Sequence, residues 1–160
     1  MELATRRILW FGVTENPNQE WVSQQARSLT WELQERGSPA KFVICDNDKK
    51  FPFAFEQVLA GDGLKVIRTH LQAPKANAHA ERWVGSARRE CLDWLIIRGR
   101  SHLERVLEEY IDHYNCERPH RGLQLRTPSG QVGRVILTGE VSCRWRLGGL
   151  LREYSRAAAS

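Results

Sequence analysis

The 160 residues carry 24 Lys and Arg against 19 Asp and Glu, a net charge of +5, with 41% hydrophobic residues. That is enough apolar material for one packed domain with a tail, it excludes wholesale disorder, and the basic excess leans toward a polyanionic partner. No apolar run approaches the ~20 residues that span a bilayer, and no signal-peptide pattern opens the chain, so no membrane partner is expected and the expected location is the cytoplasm.

Arg7 to Val13 is apolar on both faces and predicts a strand covered on both sides. It begins close to the N-terminus, and nothing upstream supplies a neighbour. Asn16 as N-cap, Pro17 as the first helical residue and Gln19 in a capping box predict a helix to about Arg36, ended by Gly37. Val22, Ala26, Leu29 and Leu33 form its stripe, extended by Trp21 and Trp31. After a Ser38-Pro39 turn, Lys41 to Cys45 reads as a short strand that delivers Asp46 at its end. A short helix over about 52–60, closed by Gly61-Asp62-Gly63, and a strand over Leu64 to Thr69 follow.

Asn77 opens a predicted helix to about Leu95, with Val84, Ala87, Cys91, Leu92, Trp94 and Leu95 on its buried side. Arg82, Ser86, Arg89 and Asp93 fall opposite, and Glu81 lies on the border. Ser101 and Glu104 read as a capping box opening the next helix, where Leu103, Val106, Leu107, Tyr110, Ile111 and Tyr114 recur at helical spacing to about Asn115. Beyond Pro128-Ser129-Gly130, Val132 to Leu137 and Val141 to Trp145 read as two short strands, and the Gly148-Gly149 region and the Ala-rich end as tail. The order β-α-β-α-β-α-α predicts an α/β fold, a mixed sheet with helices on both faces. The four cysteines Cys45, Cys91, Cys116 and Cys143 form no C-x-x-C pair and are expected as buried or neutral thiols.

Three segments carry a family pattern. Cys45-Asp46-Asn47-Asp48-Lys49-Lys50-Phe51 is similar to Asp-Asn-Gly-x-Glu-Phe after a strand. Ala73-Pro74-Lys75-Ala76-Asn77-Ala78-His79-Ala80-Glu81-Arg82 is similar to Pro-x-x-Asn-Gly-x-x-Glu-Arg. His113-Tyr114-Asn115-Cys116-Glu117-Arg118-Pro119-His120-Arg121-Gly122-Leu123 is similar to Tyr-Asn-x-x-Arg-Pro-His-x-x-Leu. Each alone is weak: taken singly, Asp46-Asn47-Asp48 reads first as a polar turn, and Glu81 as a solvated helix carboxylate. Together they resemble the integrase core of retroviral-type integrases and bacterial insertion-sequence transposases. The 34 residues between Asp46 and Glu81 are close to that family's spacing. Asp48, Lys50 and Ala78 depart from its Gly, Glu and Gly.

The resemblance spans about Glu2 to Pro128. It implies a ribonuclease H-like domain over 1–128 and a C-terminal appendage over 129–160. It also implies an Asp-Asp-Glu triad in which Asp46 and Glu81 are catalytic metal ligands. Glu2-Leu3-Ala4-Thr5-Arg6-Arg7-Ile8 is similar to a segment that enters the family's second strand, so the first strand and its Asp are expected upstream of Met1, in a truncated chain. The implied chemistry is cleavage and joining of DNA phosphodiesters with two Mg²⁺ or Mn²⁺. Without the first Asp the metal is expected to be weakly held and the chain inactive alone. Implied partners are DNA, as transposon ends and target, and a second copy or a full-length transposase. Lys75, Asn77, Arg82, Arg88, Arg89, Arg118 and His120 are the expected DNA contacts, Asn77 serving also as a helix cap. Two alternatives stay open: a non-catalytic DNA-binding or assembly module, and a zinc site on His113, Cys116 and His120, for which no fourth ligand is evident.

Overall fold

A computed structural model of the chain describes residues 1–38, 40–48, 51–69, 77–130 and 139–156. Its content is mixed α/β, with helices and two small sheets. Packing divides the chain into two units, one of Met1 and residues 8–84, the other of residues 2–7 and 85–160.

The first unit is built on α1 (Gln19–Glu35), β1 (Phe42–Cys45), α2 (Phe53–Gly61) and β2 (Lys65–Arg68). β1 and β2 pair in parallel, Phe42 opposite Lys65 and Cys45 opposite Arg68, with α2 as the crossover that parallel strands require. Val22, Ala26 and Leu33 of α1 meet Cys45, Phe55, Leu59 and Leu64 in one core. Leu29 and Trp21 pack at its edge, whereas Trp31 is exposed. The helix starts later than its sequence suggests. Asn18, not Asn16, is the cap, its carboxamide oxygen accepting from the Trp21 N–H at 2.8 Å. Gly37, at φ +56°, ends it as expected, the Ser38 N–H returning to the Leu33 carbonyl.

The strand expected over Arg7–Val13 is absent among the described residues. Ile8 is buried, but the segment lies along α1. The Trp10 indole N–H donates to Gln25, and a side chain at Gly12 would collide with Gln25 and Trp21. The two named strands of this unit pair with each other, and of residues 7–13 Ile8 is buried and Leu9 packs at the edge of the core while Trp10 is exposed.

α3 (Ala78–Glu90) crosses the division point between Val84 and Gly85. It stops five residues short of the expected Leu95. Cys91 leaves helical geometry, and the Trp94 indole N–H folds back onto the Arg89 carbonyl at 2.8 Å. Ala87 and Cys91 are buried as expected, whereas Val84 and Trp94 are exposed.

In the second unit α4 (Arg100–Cys116) buries Val106, Leu107, Tyr110 and Tyr114 of the predicted stripe, whereas Leu103 and Ile111 are half-buried. Its expected capping box does not form. Gly99 occupies the cap position at φ +130°, and Glu104 pairs with Arg100 instead. The strand expected over Val141–Trp145 forms as β3 (Val141–Arg146), and residues expected as tail supply its antiparallel partner β4 (Leu151–Arg156), the hairpin turning through Leu147–Gly149. The hairpin is fastened by charge. Buried Arg146 pairs with Asp112 and Glu153 at 2.6 Å each, and Glu153 accepts from or faces His113 Nδ1 at 3.0 Å. Burial works against the charge on Glu153, but Arg146 and His113 hold its carboxyl below the usual range. The strand expected over Val132–Leu137 lies outside the described residues. All four cysteines are free thiols, Cys45 and Cys91 buried, and burial raises Cys91 to about 11.

Candidate active site

Asp46 follows β1 directly and is exposed at the C-terminal end of the parallel pair. That edge is where open α/β sheets hold their ligands, because the crossovers leave strand ends free there. Thr69 sits at the matching end of β2. Its N–H donates to the Cys45 carbonyl at 2.9 Å and its hydroxyl to Asp46 Oδ1 at 3.3 Å. Asn77 donates its carboxamide N–H to the same Oδ1. The Asn77 carbonyl in turn accepts the Glu81 N–H at 3.0 Å, in the first turn of α3. A side-chain contact across 31 positions therefore ties the strand-end carboxylate to the start of the helix that bears Glu81.

Asp46 and Glu81 are exposed oxygen donors, the donor type that hard divalent cations take. Among the described residues no hydrogen bond reaches Asp46 Oδ2, so one oxygen stays available while the other is oriented. Among the described residues no three His, Cys, Asp or Glu side chains group as a metal site, and the sequence holds no aspartate before Asp46. Arg68, the last residue of β2, pairs with Glu56 and donates to the Phe51 carbonyl at 2.9 Å.

The expected phosphate contacts fall into two kinds. Arg82, Arg88 and Arg89 are exposed along α3. Arg118 and His120 are half-buried and engaged. Arg118 grips both oxygens of Glu90, at 2.7 and 2.5 Å, and lies over the Tyr114 ring at 5.6 Å. The Tyr110 hydroxyl donates to the same carboxylate at 3.0 Å. Burial opposes the charge on Glu90, yet Arg118 and Tyr110 hold its carboxyl below the usual range. The His120 ring stands edge-on to Tyr114 at 4.5 Å, and burial lowers its pKa. The loop closes where His120 bridges to Arg126 and the Ser129 N–H reaches the Asn115 carbonyl at 2.8 Å. Lys75 lies outside the described residues.

His113, Cys116 and His120 are not brought together. His113 faces Glu153, Cys116 faces Asp112 at 3.7 Å, and His120 packs on Tyr114. Sequence reasoning missed Thr69, for which the pattern held no signal. It missed also that Asn77 reaches Asp46, although the motif's fixed Asn four residues before Glu81 was visible.

Residues 62–128 match the family model described as Integrase core domain. The matched stretch includes Asn77, Glu81, Arg82, Arg88, Arg89, Arg118 and His120, and Asp46 lies before it. No curated protein and no solved structure matches the chain.

Proposed function

Starting from residues 62–128 as an integrase core, we propose that this chain serves DNA integration or transposition, with Asp46 and Glu81 as two carboxylates of a phosphodiester-transfer site. The observation that carries this reading is the Asp46–Asn77 hydrogen bond, which links the strand-end carboxylate to the turn holding Glu81. A ribonuclease H-like arrangement is part of the proposal. It is supported by the parallel β1-α2-β2 unit with Asp46 at its C-terminal edge and a following helix that carries Glu81.

Asp46 and Glu81 would hold a divalent cation such as Mg²⁺ or Mn²⁺, which supplies Lewis-acid charge for activating a hydroxyl nucleophile and easing departure of the leaving oxygen. Asn77 and Thr69 fix the orientation of Asp46 by donating to a single oxygen. Arg82, Arg88 and Arg89, with Lys75, offer cations to the DNA backbone, which positions the duplex without reading its sequence. Arg118 and His120 act on DNA indirectly, by fastening the 117–130 loop to α4 and Glu90.

A second reading is a DNA-binding or assembly module without catalysis, favoured by one feature: no three His, Cys, Asp or Glu side chains group as a metal site among the described residues. One experiment addresses both. Purified chain is incubated with labelled duplex ends and Mg²⁺ or Mn²⁺, and both binding and products are measured. We expect salt-sensitive DNA binding and negligible strand joining by these 160 residues alone. Robust joining would remove the second reading, and a lack of any salt-dependent DNA binding would overturn both.

A further inference from the structure

Strand alternation gives the β3–β4 hairpin two unlike faces. Arg146 and Glu153 point to the side fastened by Asp112 and His113. The other side carries Val141, Cys143 and Trp145 with their cross-strand partners Arg156, Tyr154 and Arg152. This second face is open: Trp145 is 61% and Tyr154 64% exposed. It holds two aromatic rings, two guanidinium groups and no carboxylate. Trp145 is held rather than loose. The Arg152 guanidinium lies 4.7 Å over its ring, and Gly149, at φ +97°, passes so close that a side chain there would strike the indole.

We propose that this face binds single-stranded DNA, with bases stacking on Trp145 and Tyr154 and phosphates meeting Arg152 and Arg156. Trp145 and Tyr154 are diagonal neighbours on one face, about 7–8 Å apart, within reach of successive unstacked bases. Arg152, Tyr154 and Arg156 alternate along β4 at about 7 Å per step, so each side of the Tyr154 ring has a cation for the backbone. A duplex keeps its base faces stacked inside and offers exposed rings nothing to stack on, whereas a single strand offers both base faces and phosphates. A second copy of the chain is disfavoured by charge, because apposed identical faces would set Arg152 and Arg156 against their equals. The inference shares with the proposed function only the partner class, DNA. It uses neither Asp46 nor Glu81, and it lies outside the matched residues 62–128.

The test is anisotropy of labelled oligo(dT) titrated with the full chain in the presence of a chelator, so that cation binding at Asp46 plays no part. Trp145→Ala with Tyr154→Ala should weaken oligo(dT) binding by about tenfold per ring and leave the affinity for a duplex of equal length unchanged. Melting of each variant is recorded alongside. If the double variant melts early, Tyr154→Ala alone carries the test, since its ring makes no hydrogen bond or ring contact among the described residues. Undiminished oligo(dT) binding overturns the proposal. So does an equal loss on both DNAs, or a loss of self-association with DNA binding intact. Because chelator is present, failure here leaves the Asp46–Glu81 reading standing, and failure of that reading leaves this one standing.

Discussion

Arg118 closes a two-point ion pair on Glu90, joining the loop that carries the Arg-Pro-His motif to the last residue of α3. The fork matches the carboxylate geometry, and the Tyr110 hydroxyl adds a third bond to it. The motif's arginine is thereby given a structural task that its basic character alone would not suggest.

Arg118→Ala should destabilise the chain by about 1–2 kcal/mol, a value kept low because both partners remain about a third exposed. Arg118→Lys should recover little of it, since an ammonium cannot make the paired contact. Urea unfolding measures both. Arg118 and Tyr110 hold the folded Glu90 carboxyl below the usual carboxylate range, so the pair's contribution is present above that range and is lost as pH falls through the lowered folded value. The acid-induced drop in melting temperature should therefore be shallower in Arg118→Ala than in the parent chain.

Arg146→Met should loosen the hairpin more than a surface change would. It strands Glu153, which is buried and held charged by Arg146, at a cost of about 3 kcal/mol. Arg146→Met combined with Glu153→Leu should restore most of the loss, because an apolar pair carries no desolvation cost. A double-mutant cycle read by thermal melting gives the coupling. Strictly additive losses would contradict the assignment of this network as the hairpin's fastening.

The periodic elements were legible. Leu103 to Tyr114 repeat at helical spacing and form the buried stripe of α4, and β1, α2 and β2 stand close to where apolar runs and glycines put them. What the pattern hid was the choice of partner. Residues 7–13 look like a buried strand because both faces are apolar, but only Ile8 among them is buried, Leu9 packs at the core edge, and Trp10 stays exposed with its indole N–H on Gln25 of α1. Leu151–Arg156 looked like tail because its inward residue is Glu153, whose burial depends on Arg146 and His113 and leaves no hydrophobic alternation to read. At the site, Asp46 and Glu81 were legible as motif residues, and their link through Asn77 was not. A contact between positions 31 apart depends on how the crossover returns the chain.

Replacing Arg82, Arg88 and Arg89 together with Gln should weaken DNA binding uniformly across sequences. The slope of log affinity against log salt should fall by about 0.9 for each phosphate contact removed. Anisotropy at several salt concentrations measures it. An unchanged slope would show these exposed side chains to be an ordinary solvated face.

Asn77→Ala removes the donor that orients Asp46 while leaving both carboxylates in place. Mn²⁺ affinity should fall about tenfold, the scale of effect expected when a group that holds a metal ligand is lost. Asn77→Asp should be worse than Asn77→Ala for the position of Asp46, since it sets a like charge against that carboxylate. Isothermal titration of each variant distinguishes the two, and equal affinity in Asn77→Ala and the parent would deny the bridge its orienting role.

Mn²⁺ binding by Asp46→Asn, Glu81→Gln and the double variant tests whether Asp46 and Glu81 share one cation, as proposed. Each amide change keeps shape and removes charge. Either single variant should lose most of the binding and the double variant little more, as expected of two ligands to one ion. Mn²⁺ bound as tightly by both single variants as by the parent, or losses that simply add, would contradict it.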